Sequence, residues 1–232
     1  MSKNLATAIA FLAAAFLTRP AHAVTLDFVA LAAGNEHSFA TETFPDVGGS
    51  GISVTATARA LSDNTGPFDD TPPWGYLDDL LSGDPAGLGV CQTANCAGSS
   101  DDNISLNEVA ILEFDAIVEV TSISFSNGLH LDVYVGSIGI QVGAGDPTTA
   151  AGFANVIDTA SLVAGVLNTS LIGNRFSFVA PESFGGVGTG DDAKIYISSI
   201  TFDGFTTIPE PSTALLLSLG AVGLAVRARR SR

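Results

Sequence analysis

The chain of 232 residues has little positive charge: 9 Lys and Arg stand against 24 Asp and Glu, a formal net charge of −15. A nucleic-acid binder needs a basic footprint to neutralise phosphate, so this balance excludes that class. Charge of either sign is scarce, at 14% of residues, where about 25% is ordinary for a soluble domain. Histidine is limited to His22, His37 and His130, and cysteine to Cys91 and Cys96. Neither His-Glu-x-x-His nor Gly-x-Ser-x-Gly occurs, so the zinc-protease and nucleophile-elbow signatures are missing. Apolar residues are plentiful, at 46% with a mean hydropathy of +0.38. That abundance excludes a disordered acidic tail, which is poor in core-forming residues.

Much of the apolar material sits at the two ends. Lys3 supplies a positive n-region, Leu5 to Leu17 an apolar h-region of 13 residues, and Ala21-His22-Ala23 a small-x-small cleavage site. This is the order of a secretory signal peptide. Thirteen helical residues cover about 20 Å, short of the roughly 30 Å hydrocarbon core, so a membrane anchor fits less well. Cleavage between Ala23 and Val24 is expected, with Ala21 and Ala23 as the recognised small residues.

At the other end Pro209-Glu210-Pro211 precedes an uncharged run, Ser212 to Val226, and then Arg227-Ala228-Arg229-Arg230-Ser231-Arg232. This reads as a short membrane helix with a cationic stop at Arg227, Arg229 and Arg230, which favours the cytoplasmic side. Fifteen residues make a marginal span, extended by snorkelling Arg side chains. A buried domain helix suits the pattern poorly, because the run is apolar on every face.

Pro-Glu-Pro, an apolar helix and an Arg-rich end, paired with a signal peptide, resembles the PEP-CTERM sorting signal. The same short domain is also described as an ice-binding protein C-terminal domain. The resemblance covers about the last 25 residues. It implies a Gram-negative bacterial export, recognition by an exosortase, and passage through the Sec machinery. It further implies a membrane-held intermediate at the inner membrane and a destination at the cell surface or outside the cell, often beside exopolysaccharide.

The body between the signals, 24–211, keeps all 24 acids and three bases, Arg59, Arg175 and Lys194, for a formal charge of −21. It reads as β. Approximate period-two alternation marks 112–115, 118–125, 131–135 and 195–202, and further strands are expected at 24–29, 51–60, 138–142, 161–167 and 174–180. Val, Ile, Phe and Thr fill these runs, and Gly, Asn, Asp and Pro separate them. An antiparallel β-sandwich or jelly roll follows, with no βαβ rhythm. One helix is expected at Thr148–Thr159 after Asp146-Pro147. Segment 62–105 is the least regular and reads as a long loop or a lid. The expected organisation is a signal peptide at 1–23, a β-sandwich cargo domain at 24–207 and the sorting signal at 208–232.

The cargo also resembles, more loosely, other proteins bearing this signal in three pieces: Gly87-Leu88-Gly89-Val90, then Asp101-Asp102-Asn103, then the strand from Glu108 to Asp115. That resemblance implies a β-sandwich without a defined activity.

Cys91 and Cys96 lie close in sequence in an exported protein and read as a disulfide. Free thiols and a metal site are the alternatives, and a zinc site lacks nearby Cys or His partners. Paired acids in Gly- and Ser-flanked loops could hold calcium, which takes oxygen ligands in flexible loops. The better candidates are Asp101, Asp102 and Glu108, and Asp191 and Asp192; the plainer reading is solvated loops. Trp74 and Tyr76, with Phe68, Asp69 and Asp70, could form an aromatic carbohydrate platform, although pinning a loop to the core is the simpler role. Thr55-Ala56-Thr57 is a single T-x-T, too little for an ice-binding array. No catalytic residues are assigned and no enzyme is expected. The expectation is a structural or binding protein of an exopolysaccharide or biofilm matrix, binding glycan or calcium, without another cofactor. The alternative is a secreted polysaccharide hydrolase.

Overall fold

The computed structural model describes residues 23–60, 74–79, 85–91, 102–105, 108–128, 134, 136, 138–143, 155–157, 162–180 and 194–204. All of them fall within one compact unit, His22–Gly204. Among the described residues twelve strands form one hydrogen-bonded sheet. They are β1 (Val24–Asp27), β2 (His37–Phe39), β3 (Thr41–Phe44), β4 (Val54–Ala60), β5 (Trp74–Asp79), β6 (Pro85–Cys91), β7 (Glu108–Asn127), β8 (Ile138–Val142), β9 (Asn155–Ile157), β10 (Leu162–Val163), β11 (Val166–Val179) and β12 (Ile195–Gly204). Every pairing among them is antiparallel.

The spine of the sheet is β7, at 20 residues. Its first part pairs with β4 (Val54↔Phe114) and its second with β12 (Gly204↔Val118), while β11 runs along its other edge. Val120 and Ile123 are both fully buried, three residues apart. Strict period two forbids this. Register shifts at Asn168/Leu171 in β11 and at Thr201/Phe202 in β12 lie opposite this stretch and rephase the strand. Phe114 sits where the two parts meet. Its ring packs edge-on against Phe176 at 5.6 Å and Phe202 at 4.9 Å, the geometry aromatic quadrupoles favour. On the opposite face of the same end, Val109, Ile111 and Val179 form a small separate cluster.

Two edges carry the rest. β12 pairs with β6 at Ile197↔Leu88 and further on with β1 at Val24↔Phe202. Beyond β6 lie β5 and then β2. A short helix, α1 (Phe28–Ala32), follows β1. Asp27 caps it by accepting from the Ala30 backbone N–H at 3.0 Å. Phe28 and Ala32, one turn apart, are its buried residues.

The antiparallel all-β class expected from the sequence is the class observed. Several local expectations are corrected. The expected strand 24–29 ends at Asp27, because the cap starts α1 there. Segment 62–105 contains β5, β6 and an isolated bridge, Ile104↔Ile195, where a loop was expected. Of the helix expected at Thr148–Thr159, the described residues Asn155–Ile157 are strand β9, paired with β8 through Ile138↔Ile157. The β-branched Val156 and Ile157 suit that ladder better than a helix. Of the expected strand 161–167, the described residues 162–167 turn as a hairpin: Ala164 and Gly165 both adopt positive φ (52° and 74°), joining β10 to β11. Among the described residues no helix is long and apolar enough to cross a membrane. The expected signal peptide up to His22 and the expected span 212–226 lie outside the described residues.

Candidate functional site

Among the described residues, the densest grouping of polar chemistry is a buried seam where β5, β6, residues 102–105 and β12 meet. β6 makes it possible. A Cβ on Gly89 would collide with the Asp102 carbonyl oxygen, and one on Gly87 (φ +125°) with the Ile197 carbonyl oxygen of β12. The glycines of Gly-Leu-Gly-Val therefore let two other backbones lie directly on the strand. Leu88 and Val90 between them are buried in the core. The Ile104 backbone exchanges hydrogen bonds with Ile195 at 2.8 and 3.0 Å and ties the segment to β12.

Into this seam point two carboxyls and a phenol. Asp78 on β5 is 2% exposed and Asp102 is 8% exposed. The Tyr196 hydroxyl of β12 donates to Asp102 Oδ1 at 2.6 Å and also hydrogen-bonds with Asp78. Burial pushes Asp78 up to about 7, helped by the charge of Asp102; the bond from Tyr196 acts the other way. Burial, then the charges of Asp102 and Asp78, push the Tyr196 phenol far above its ordinary value. Next to it on β5, Tyr76 donates to Glu36 Oε1. Burial and that carboxylate raise its phenol as well.

The remaining expected site residues fall as follows. Glu108 is 1% exposed, and its Oε2 accepts from the Ser105 backbone N–H at 2.8 Å and from Ser105 Oγ at 2.6 Å. Asp102 Oδ1 and Glu108 Oε2 are thus engaged by Tyr196 and Ser105. Among the described residues no group of three or more His, Cys, Asp or Glu is arranged to hold a metal. Asp101, Asp191 and Asp192 lie outside the described residues. Cys91 is fully buried at the end of β6, packed with Tyr76 and against Trp74; Cys96 lies outside the described residues. Tyr76 is 1% exposed, so it pins a strand, and no aromatic platform forms from it; Phe68, Asp69 and Asp70 are not described. His37 uses both ring nitrogens, Nδ1 on the Asn35 carbonyl and Nε2 on Glu42 Oε2, each at 2.7 Å. Both partners accept, so the arrangement favours the protonated ring and raises its pKa, against the burial that works to lower it. His130 is not described.

Sequence reasoning missed Tyr196 and Glu36, and read Asp78 only as half of the loop pair Asp78-Asp79, one of the acidic pairs that could hold calcium. Asp78 sits in the run Tyr76-Leu77-Asp78, read as loop, and Tyr196 occupies an ordinary position in an expected strand. The one available signal was an acid inside an apolar, Gly-flanked stretch.

Two rows of polar side chains lie on the sheet's other face. Thr25, Thr201, Ser122 and Asn168 are in direct register across β1, β12, β7 and β11. Thr25 and Thr201 hydroxyls are 2.8 Å apart. On β3 and β4, Thr41 faces Thr57 and Thr43 faces Thr55.

Residues 207–230 match the PEP-CTERM protein-sorting motif. The match includes Pro209, Glu210, Pro211, Arg227, Arg229 and Arg230. That motif indicates exosortase-type sorting of an exported protein. No curated protein and no solved structure matches the chain.

Proposed function

We propose that this is a cell-surface or extracellular-matrix protein whose β-body binds neutral polysaccharide without turning it over. The observation that carries the binding part is the transverse row Thr25–Thr201–Ser122–Asn168. Four short hydroxyl and amide side chains stand on adjacent strands, about 4.8 Å apart. Such a row offers donors and acceptors with little entropy to lose, the pairing a chain of sugar hydroxyls needs. The body's formal charge of −21 favours neutral over anionic glycans.

The reading includes the expected processing. The signal peptide leaves after Ala23, which frees Val24 as the first residue, and β1 begins at that residue. Helix 212–226 holds the protein in the membrane until the exosortase acts. Cys91 and Cys96 form a disulfide; among the described residues there is no free thiol. The single sheet folds over its core as a jelly roll. The buried state of Asp78 and Asp102 keeps these carboxyls from a glycosidic bond and supports a binding rather than a hydrolytic role.

The test is co-sedimentation of the processed protein with insoluble neutral polysaccharide, with product lengths measured after prolonged incubation. Retention with unchanged glycan length is expected, and Thr201→Ala combined with Asn168→Ala weakens retention about tenfold, or about 1.4 kcal/mol. Loss of glycan length would favour the hydrolase, and equal retention of the double variant would remove the row from the reading.

A further inference from the structure

We infer that the α-amino group freed at Val24 by removal of the signal peptide is the cationic partner of Asp203 and Glu119, and that this ion pair, absent from the precursor, fastens the start of β1 to the sheet. The inference rests on the proposed cleavage after Ala23. That hydrolysis adds water across the Ala23–Val24 bond. The hydroxyl goes to the Ala23 carbonyl carbon and a proton to the Val24 nitrogen, and one further proton makes that nitrogen an ammonium.

The strand register places the amine. β1 lies antiparallel on β12, with Val24 opposite Phe202 and Thr25 opposite Thr201. Continued by one residue, the same register sets the Val24 nitrogen beside Asp203, whose backbone is about 5 Å away across the pair. Asp203 in turn faces Glu119 of β7 directly. Val24, Phe202 and Val120 belong to the core, so strand alternation puts Asp203 and Glu119 on the polar face that carries Thr25 and Thr201. Two carboxylates directly opposite across a strand pair repel. Asp203 Oδ1 is also buried without a hydrogen-bond partner among the described residues, while Glu119 Oε1 accepts from Ser170 Oγ at 2.6 Å.

The body's own bases stand elsewhere. Arg175 reaches Glu113 at 3.1 Å, and Arg59 lies opposite Val109, near the start of β7. Lys194 precedes β12 at the end remote from Asp203, about 30 Å along the strand. The other titratable groups described around β1 are acids. Asp46 accepts from the Gly51 backbone N–H at 2.6 Å, beside the turn whose Gly48 lies against the Val24 side chain. Asp27, at the other end of β1, caps α1, and Asp115 accepts from the Ser53 backbone N–H at 3.1 Å. All of them favour a charged amine. In the precursor the Val24 nitrogen is an uncharged amide, so cleavage turns a neutral strand end into an ion-paired one. The folded amine then holds its proton more tightly than the unfolded one. Its contribution to stability is full below the unfolded value of about 7.7–8.0 and is lost as pH rises through the raised folded value.

The test uses the processed protein isolated from its producing cell. Mass spectrometry of the N-terminal peptide identifies the first residue; any other than Val24 removes the cleavage reading and this inference with it. With Val24 first, the amine is tagged by reductive methylation with isotopically labelled formaldehyde, which preserves its charge, and its carbon resonance is followed against pH. A midpoint about one pH unit above the ordinary N-terminal value is expected, falling by about one unit in Asp203→Asn. If Asp203→Asn does not fold, Glu119→Gln is expected to lower the midpoint in the same direction. With Val24 confirmed as the first residue, an ordinary midpoint in the parent chain, or a raised one that neither substitution lowers, overturns the inference and leaves the cleavage reading standing.

Discussion

Tyr196 reaches Asp102 across 94 positions of sequence and holds it by a 2.6 Å hydrogen bond inside the β5–β12 seam. Removing the hydroxyl leaves a buried carboxyl without its donor, a loss of about 1–3 kcal/mol. Tyr196→Phe is expected to lower the unfolding free energy by that amount, read as a lower urea midpoint with an unchanged m-value, because the exposed area on unfolding is the same.

Gly89 should resist any side chain. Its missing Cβ is where the Asp102 carbonyl oxygen lies, and that obstacle is backbone, which cannot swing away. Gly89→Ala is expected to destabilise by at least the about 1–3 kcal/mol of ordinary overpacking. Gly34→Ala meets no atom within 4 Å but keeps φ at +68°, so its cost is the smaller left-handed strain of about 1 kcal/mol. Thermal melts of the two variants side by side give the ranking.

His37 contributes its own pH dependence. Burial works to lower its pKa, but the bonds to the Asn35 carbonyl and to Glu42 outweigh burial and raise it above 6.5. The contribution is present in full below the unfolded value and is lost as pH rises through the raised folded one. Chemical denaturation from about pH 5 to 8.5 should show Glu42→Gln with a shallower fall than the parent chain. Asp78, raised to about 7 by burial, keeps its own dependence in that variant, which separates the two groups.

Replacing Pro209, Glu210 and Pro211 by Ala should leave an unprocessed, membrane-held precursor in the producing cell. Fractionation and immunoblotting read this directly. Release of mature-size protein from that variant would separate the motif at 207–230 from processing.

Legibility differed by region for physical reasons. Strands with one wet face were visible, as in 195–202, where Ile200 and Phe202 alternate with Ser199 and Thr201. β5 and β6 were missed because they do not alternate: Gly75, Tyr76, Leu77 and Asp78 are all buried. Glycine and aspartate there mimic a loop's composition while serving close backbone approach and a buried hydrogen-bond chain. β7 runs as one strand from Glu108 to Asn127 where 112–115 and 118–125 were expected, and the phase shift between Val120 and Ile123 leaves no composition of its own. The sorting motif at 207–230 was legible because it is a linear peptide. The acid–phenol seam was not, since its members come from strands far apart in the chain.

The pairing of β1 with β12, Val24 against Phe202, bears on timing. A chain exported from its N-terminus delivers the first strand at the outset and that strand's partner last. The edge of β1 stays unpaired until about 180 residues of chain have crossed, a span for which ring closure alone is slow. The last strand ends at Gly204 and the sorting motif begins at 207. The sheet therefore acquires its final strand just as the segment read by the processing enzyme arrives at the membrane, so completion of folding and presentation for cleavage fall in immediate succession.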